Sequence, residues 1–421
     1  HRPGRGLPHE AVTVYTDGSC LHNGEANAQT GIGVWFGPDD PRNRALRLPG
    51  PDQSNQAGEV AAILVATQIT HMAAPLHIIS DSLYAIDGLT TRLPGWENRG
   101  WIDISNKHLF RAAAAALRAR AAPTTFEWTK GHSTSVGNNA ADSLAGQAAR
   151  KTSSDTINLT IPNRFNLTGA RMASLTRRLA YRGIRMYRPY LQRRAATLQL
   201  DITRHAVNVA CNRLPTDATI WRSIRSPDIS RPIQDFLWKC LHGALRCGHF
   251  WDNIPGYEDR AMCTNCGSLD SIDHILTECS APGQNLIWNL CAEFWAHKHL
   301  PWYKISIGTI MGCGAIRFSA QNARHPGADR LYRILISEAS YLIWKLRCER
   351  AFGRDDLPAS GHTNKEIYTR WYKAISSRLT LDRTMTRKRF GKRALPPALV
   401  RNTWTGCLAD EKGLPDNWLT Q

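Results

Sequence analysis

Tyr15-Thr16-Asp17-Gly18-Ser19-Cys20 is the stretch whose reading decides the fold of this chain. Val12 to Thr16 has the β-branched and aromatic composition of a short strand, and the strand ends on an acid. A carboxylate at a sheet needs a partner, because an unpaired charge taken out of water is strongly destabilising. Metal ions can serve as that partner, and the rest of the chain must then supply further ligands.

Working outward, Thr30 to Phe36 followed by Gly37-Pro38 reads as a second strand with a turn, and Arg44 to Leu48 as a third. Asn55 to Thr70 is a nearly all-apolar helix, expected to pack centrally on the sheet. Glu59 lies in its first turns, on the same face as Ala62, Ile63, Ala66 and Ile69. Leu76 to Ser82 is another strand-like run, carrying Asp81 at its end, and open α/β sheets place their chemistry at strand ends. Ser105 to Ala121 is an alanine-rich helix and Thr124 to Trp128 a strand. After the loop Lys130-Gly131-His132, a last helix from Asn138 to Arg150 carries Asp142.

These residues in this order closely resemble ribonuclease H type 1 over roughly residues 10–150. The resemblance rests on the opening stretch, Glu59 in its helix, Ser80-Asp81-Ser82, Trp96 to Trp101, and Phe126 to His132 followed by Asn138 and Asp142. It implies an α/β fold with a mixed five-stranded sheet flanked by helices, and hydrolysis of the RNA strand of RNA/DNA hybrids. By the same resemblance Asp17, Glu59, Asp81 and Asp142 are the catalytic carboxylates and ligate two Mg²⁺, with Mn²⁺ as the alternative ion and Asp17 central. Two such ions about 3.5–4 Å apart can activate a water and stabilise a leaving oxygen, and Mg²⁺ prefers hard oxygen ligands. His132 would shuttle a proton or help product leave. Asn23, Asn55 and Gln56 would read 2′-hydroxyls across the minor groove.

Two departures bear on substrate grip. The family's gripping protrusion is often Lys-rich, whereas here Trp96 to Trp101 leads into Ile102-Asp103-Ile104 with little positive charge. Leu83 follows Asp81-Ser82 where a polar contact residue can occur. A reading from a different class therefore stands beside the enzyme: a catalytically silent nucleic-acid-binding protein that retains a ribonuclease H-like fold.

Charge distribution places the grip further along the chain. Residues 1–150 hold 13 Lys+Arg and 13 Asp+Glu, and the remaining 40 basic and 22 acidic residues carry the whole net charge of +18. A neutral front and a cationic back point to a polyanionic partner held by the back. Arg171 to Tyr187 puts Met172, Leu175, Leu179, Gly183 and Met186 at helical spacing, with Arg171, Arg178, Arg182 and Arg185 on another face. From Arg164 to Arg225 there are thirteen arginines, no lysines and only Asp201 and Asp217 as acids. Such a run is often a solvated face, but arginine against so few acids favours phosphate contact.

Cys263, Cys266, His274 and Cys279 have the spacing C-x2-C-x7-H-x4-C of a Cys₃His site. With the Phe-Leu-Trp-Lys lead-in at Phe236 and the run Asp273 to Cys279, this resembles the zinc-binding segment that follows ribonuclease H in some non-LTR retrotransposon polyproteins. It implies a structural Zn²⁺ that stabilises a small module and an upstream reverse transcriptase in a parent polyprotein. Cys240, His242, Cys247 and His249 form a competing cluster that could donate a ligand. The expected organisation is 10–150 ribonuclease H-like, 151–230 an arginine-rich helical linker, 231–300 the zinc module and 301–421 a helical basic region.

In that last region Leu331 to Phe352 reads as a core helix, and Arg383 to Arg393 is a basic cluster that could bind nucleic acid, direct nuclear import or be solvated. The chain has no Tyr-x-Asp-Asp and so is not itself a reverse transcriptase. Eleven unevenly spaced cysteines with no secretory leader favour reduced thiols or a metal site, in the nucleus or cytoplasm. The longest uncharged apolar run near the front, Val60 to Ala66, is far short of the roughly 20 residues of a membrane span. The start at His1 rather than Met is what a fragment or processed product would show.

Overall fold

The computed structural model describes residues 10–131, 135–188, 193–320, 323–353, 361–408, 411–415 and 418–419. It divides into two compact units, 1–190 and 191–421. Among the described residues no helix is long and apolar enough to cross a membrane.

In the first unit the strands are β1 (Val12–Leu21), β2 (Gln29–Trp35), β3 (Arg44–Arg47), β4 (Leu76–Ser80) and β5 (Thr124–Trp128). They form one mixed sheet in the order β3-β2-β1-β4-β5. β2 is antiparallel to β1 and β3, while β4 is parallel to both β1 and β5. The helices are α1 (Asn55–Ile69), α2 (Leu83–Leu89), α3 (Leu93–Asn98), α4 (Lys107–Ala119), α5 (Val136–Ala149) and α6 (Arg177–Tyr187). Ser54 caps α1 by accepting from the Ala57 amide at 3.1 Å, and Ala57 to Thr67 is buried apart from Glu59. The short helices α2 and α3 carry weak periodicity, although Ser82 caps α2 by accepting from the Ala85 amide at 3.3 Å and Pro94 opens α3.

β1 is longer than its sequence suggests. Antiparallel pairing with β2 continues from Tyr15 opposite Trp35 to Leu21 opposite Gln29, whereas parallel pairing with β4 stops at Thr16 opposite Ser80. Asp17 is therefore inside the strand rather than at its end, immediately beyond the last residue that β4 covers. Small residues let the layers touch. A Cβ on Gly31 would lie 2.0 Å from the Ala145 carbonyl oxygen, and one on Gly33 would lie 2.0 Å from that of Ala141. Thus α5 is seated directly on β2.

The expected boundary at 150 does not end this unit, because Ile157 and Ile161 pack onto its core and Arg47 binds Asp155 through its backbone amide at 2.7 Å. The expected helix from Arg171 is also shorter. Thr176 caps α6 by accepting from the Leu179 amide, Met172–Ser174 is a separate 3₁₀ turn, and the Arg171 amide donates to the Asn98 carbonyl at 2.9 Å.

The second unit contains α7 (Arg194–Cys211), α8 (Asp217–Ser223), α9 (Arg231–Leu241), α10 (Gln284–Ala296), α11 (Ile307–Met311), α12 (Pro326–Phe352), α13 (Asn364–Met385) and α14 (Pro397–Trp404). The expected boundaries at 230 and 300 fall within one core: Val207, Leu237, Ile275, Leu276, Ile310, Leu335 and Trp404 belong to a single apolar cluster. A buried ion pair network crosses it. Arg330 on α12 donates to both carboxylate oxygens of Asp382, at 2.5 and 2.7 Å, and to Asp228 at 2.7 Å. The Trp404 indole adds a bond to Asp382 at 2.8 Å.

Candidate active site and metal-binding clusters

Sheet and helix bring acids together at one end of the first unit. Ligand oxygens of Asp17, Glu59 and Asp81 lie within 4.8 Å of one another. Asp17 comes from the middle of β1, Glu59 from the second turn of α1 and Asp81 from the residue after β4. Asp142, exposed on α5, acts on the same group: its charge and a hydrogen bond to Asp17 both help raise the Asp17 pKa. Burial, then Asp81, then Asp142 push Asp17 up to about 7. Burial pushes Glu59 well above the usual carboxylate range, followed by the charges of Asp17 and Asp81.

Three contacts that sequence reasoning missed hold these acids in place. Gly18 and Gly58 let β1 and α1 meet backbone to backbone: a Cβ on Gly18 would fall 2.2 Å from the Glu59 nitrogen, and one on Gly58 would fall 2.9 Å from the Gly18 Cα. The Trp128 indole, half exposed, donates to the Asp81 carbonyl at 3.0 Å. A Cβ on Gly131 would stand 2.6 Å from an Asp81 carboxylate oxygen. The Asp-Gly pair and the Thr-Lys-Gly loop were visible in the sequence, but only the fold shows what each glycine faces.

Asn23, Asn55 and Gln56 are all exposed. The Asn23 side-chain oxygen accepts from the Asn55 amide at 3.4 Å, which sets these three at the start of α1, one turn before Glu59. His132 lies outside the described residues. Arg178 and Arg185 are exposed on α6, and Arg182 is half-buried. α6 is pinned to the rest of the first unit: Leu179 is buried, Arg182 pairs with Asp103, and the Lys107 amine meets the Met186 sulfur at 3.0 Å. Gly183 packs so closely that a Cβ there would lie 3.0 Å from Ile102. The arginine helix thus sits against Ile102-Asp103, the segment that is short of positive charge.

The acids test well as a cation site. The Glu59 Oε2 atom is buried with no hydrogen-bond partner, and Asp17 and Glu59 are both raised by the mutual repulsion of the group. Divalent cations bound by these oxygens would relieve that repulsion, and an all-carboxylate donor set suits a hard ion.

A second cluster lies in the other unit. Ligand atoms of Cys263, Cys266, His274 and Cys279 lie within 4.8 Å of one another. The Cys279 sulfur is 3.8 Å from those of both Cys263 and Cys266. Zinc–sulfur bonds of about 2.3 Å in a tetrahedron would place the sulfurs about 3.8 Å apart. The His274 Nε2 atom is buried without a partner, while Nδ1 meets the Ser268 hydroxyl at 3.3 Å. Hydrogen bonds from Ser280 and Asn265 pull the Cys266 thiol down to about 6. Of the competing cluster, Cys240 is core, His249 binds Asp252 at 2.7 Å, and the His242 ring packs between Trp221 and Trp238; none joins the Cys₃His group.

Carboxylates that converge in this way suit divalent cations, which can support phosphodiester hydrolysis. A family model described as RNase H matches residues 9–150. The chain is 41% identical over 141 residues to the Ribonuclease H of Schizosaccharomyces pombe, covering 32% of this chain and 52% of that protein. It is 36% identical over 145 residues to human Ribonuclease H1, covering 33% and 50%, and 31% identical over 141 residues to a Pseudomonas aeruginosa Ribonuclease H, covering 33% and 93%. This chain belongs to the ribonuclease H family through its first unit. It spans about half the length of the fission-yeast and human relatives and nearly all of the bacterial one.

Proposed function

We propose that this chain is an endonuclease that hydrolyses the RNA strand of RNA/DNA hybrids with two Mg²⁺ ions, Mn²⁺ being the alternative, and that it derives from a retroelement polyprotein. The observation that carries this reading is the convergence of Asp17, Glu59 and Asp81, with Asp142 coupled to Asp17. Those four carboxylates would hold the ions. When bound, the ions supply an activated water and a counter-charge for the leaving 3′-oxygen. The chain's own contribution is placement. Gly18 lets Asp17 meet Glu59, while Trp128 fixes the backbone of Asp81 and Gly131 leaves room for its carboxylate. Asn23, Asn55 and Gln56, all exposed, would read 2′-hydroxyls across the minor groove of the hybrid.

The Cys₃His cluster would hold a structural Zn²⁺, as in the retrotransposon segment it resembles, and a polymerase domain would belong upstream in such a polyprotein. Substrate grip falls to α6. Its Arg178, Arg182 and Arg185, with Arg171 just before it, would contact phosphates beside the neutral segment Trp96 to Ile104.

A labelled RNA/DNA hybrid incubated with the full chain and Mg²⁺ tests the reading. The expected result is RNA-strand cleavage, lost in Asp17→Asn. Hybrid binding with no cleavage by the wild type would favour the silent-fold alternative. Arg178→Gln/Arg182→Gln/Arg185→Gln should raise KM with little change in kcat and flatten the salt dependence of binding by about 0.9 per lost phosphate contact. An unchanged KM and salt slope would remove α6 from the substrate path.

A further inference from the structure

The second unit carries a surface that hybrid cleavage does not use. α13 buries Ile367, Trp371 and Ile375 in the core but turns Tyr368 and Tyr372 outward, 50% and 58% exposed. These rings, one turn apart, are nearly parallel at 14°, with centroids separated by 6.3 Å. They border a groove of about 510 Å³ that continues past Thr380 to Arg383. From Tyr368 to Arg383 the helix rises about 22 Å, enough for a few nucleotides.

The helix that carries the two rings, and the segment after it, are rich in cations. Residues 361–408 hold eleven Lys+Arg against two acids, Glu366 and Asp382. Asp382 is buried on Arg330, and Glu366 is half-buried beside Arg370 at 3.4 Å. Lys365, Lys373, Arg383 and the cations at 387–389 are exposed, and no acid in this stretch is.

We propose that this face binds single-stranded nucleic acid, with bases stacking on Tyr368 and Tyr372 and phosphates held by Lys365, Lys373 and the cations at 387–389. The cationic rim selects a polyanion over a neutral protein partner. The paired rings select unpaired bases, because every base has a π-face and those of a duplex already stack on each other. A duplex would engage the charges and leave the tyrosines idle. The site lies in a different unit from the carboxylates, so it stands whether or not the chain cleaves hybrids.

Fluorescence anisotropy of a labelled oligothymidylate with the intact chain in EDTA tests it. Tyr368→Ala/Tyr372→Ala should weaken binding roughly tenfold or more with an unchanged salt slope, while Tyr368→Phe/Tyr372→Phe should bind like wild type. Lys365→Gln/Lys373→Gln should flatten the salt slope by about 0.7 per lost contact. Tyr372→Ser, at the more exposed ring, provides a milder variant should the double one fail to fold, with a loss of about threefold or more expected. Hybrid cleavage by the folded tyrosine variants should match wild type, which separates this site from the nuclease reading. Binding within twofold of wild type for a folded alanine or serine variant would overturn the proposal, as would equal losses for the Phe and Ala pairs.

Discussion

Gly18 lies so close to Glu59 that a Cβ at residue 18 would come within 2.2 Å of the Glu59 backbone nitrogen. The neighbouring atoms, from Gly58 and Glu59, are all backbone, so no side-chain rotation relieves the overlap, and the strand and helix must separate. Gly18→Ala should therefore cost about 1–3 kcal/mol of stability and, by moving Asp17 away from Glu59, lower the cleavage rate more than tenfold. Denaturant unfolding together with single-turnover cleavage checks both parts. Wild-type stability with wild-type rate would mean that the two backbones have more freedom than their contact implies.

Asp17 should make stability depend on pH and on metal. Its pKa in the metal-free fold is raised to about 7 from 3.8, chiefly by burial. The folded chain thus holds that proton more tightly than the unfolded chain, and the charged form is destabilising. The cost is absent below the unfolded pKa, grows between it and about 7, and is constant above. In EDTA, Asp17→Asn should stabilise the fold by on the order of 2–4 kcal/mol near pH 8, with the gain fading on acidification to about pH 4. Added Mg²⁺ should stabilise wild type and leave Asp17→Asn nearly unmoved. Equal Mg²⁺ shifts for both proteins in calorimetry would place the ion elsewhere.

Trp128 should behave as a positioning residue. Trp128→Phe removes the bond to the Asp81 carbonyl while keeping an aromatic ring. Because the indole is half exposed, the loss of stability should be under about 1 kcal/mol, whereas kcat should fall by about threefold to tenfold with KM little changed. A mutant that loses affinity for the hybrid but keeps kcat would instead assign the ring to substrate contact.

Zinc removal should act on the second unit. Elemental analysis should find one zinc per chain, released together with folding of residues 191–421 when Cys279→Ser removes the central sulfur of the cluster. The first unit should keep its Mg²⁺-dependent stabilisation. Full thermal stability of a zinc-free chain would show that the Cys₃His group closes without a metal.

The acids were legible because their chemistry restricts the residue type at each position and their order survives as sequence. Where each lies was less legible. Asp17 reads as a strand end because the β-branched run stops at Thr16, yet pairing with β2 carries β1 on to Leu21, and partner strands far along the chain decide such extents. Gly18, Gly31 and Gly131 have no side chain to signal what approaches them. The arginines of α6 were visible as charge, but the helix's close approach to Ile102 depends on Gly183, which looks like an ordinary helix position. The Cys₃His grouping was clear from spacing, whereas the burial of Ile275 and Leu276 in a core shared with α12 was not, because those contacts join residues tens of positions apart.

The Arg330 network has a consequence for synthesis. Asp228 and Asp382 meet at Arg330 across separations of 102 and 52 residues, and the Cys₃His group falls between Asp228 and Arg330. A growing chain can complete its first unit while the second is still being made, since nothing in that sheet waits for later sequence. The second core can close only after Asp382 has left the ribosome. Until then Cys263, Cys266 and Cys279 have only their own small cluster with Ala281, and a metal bound there would provide a local anchor while the rest of the unit is still being translated.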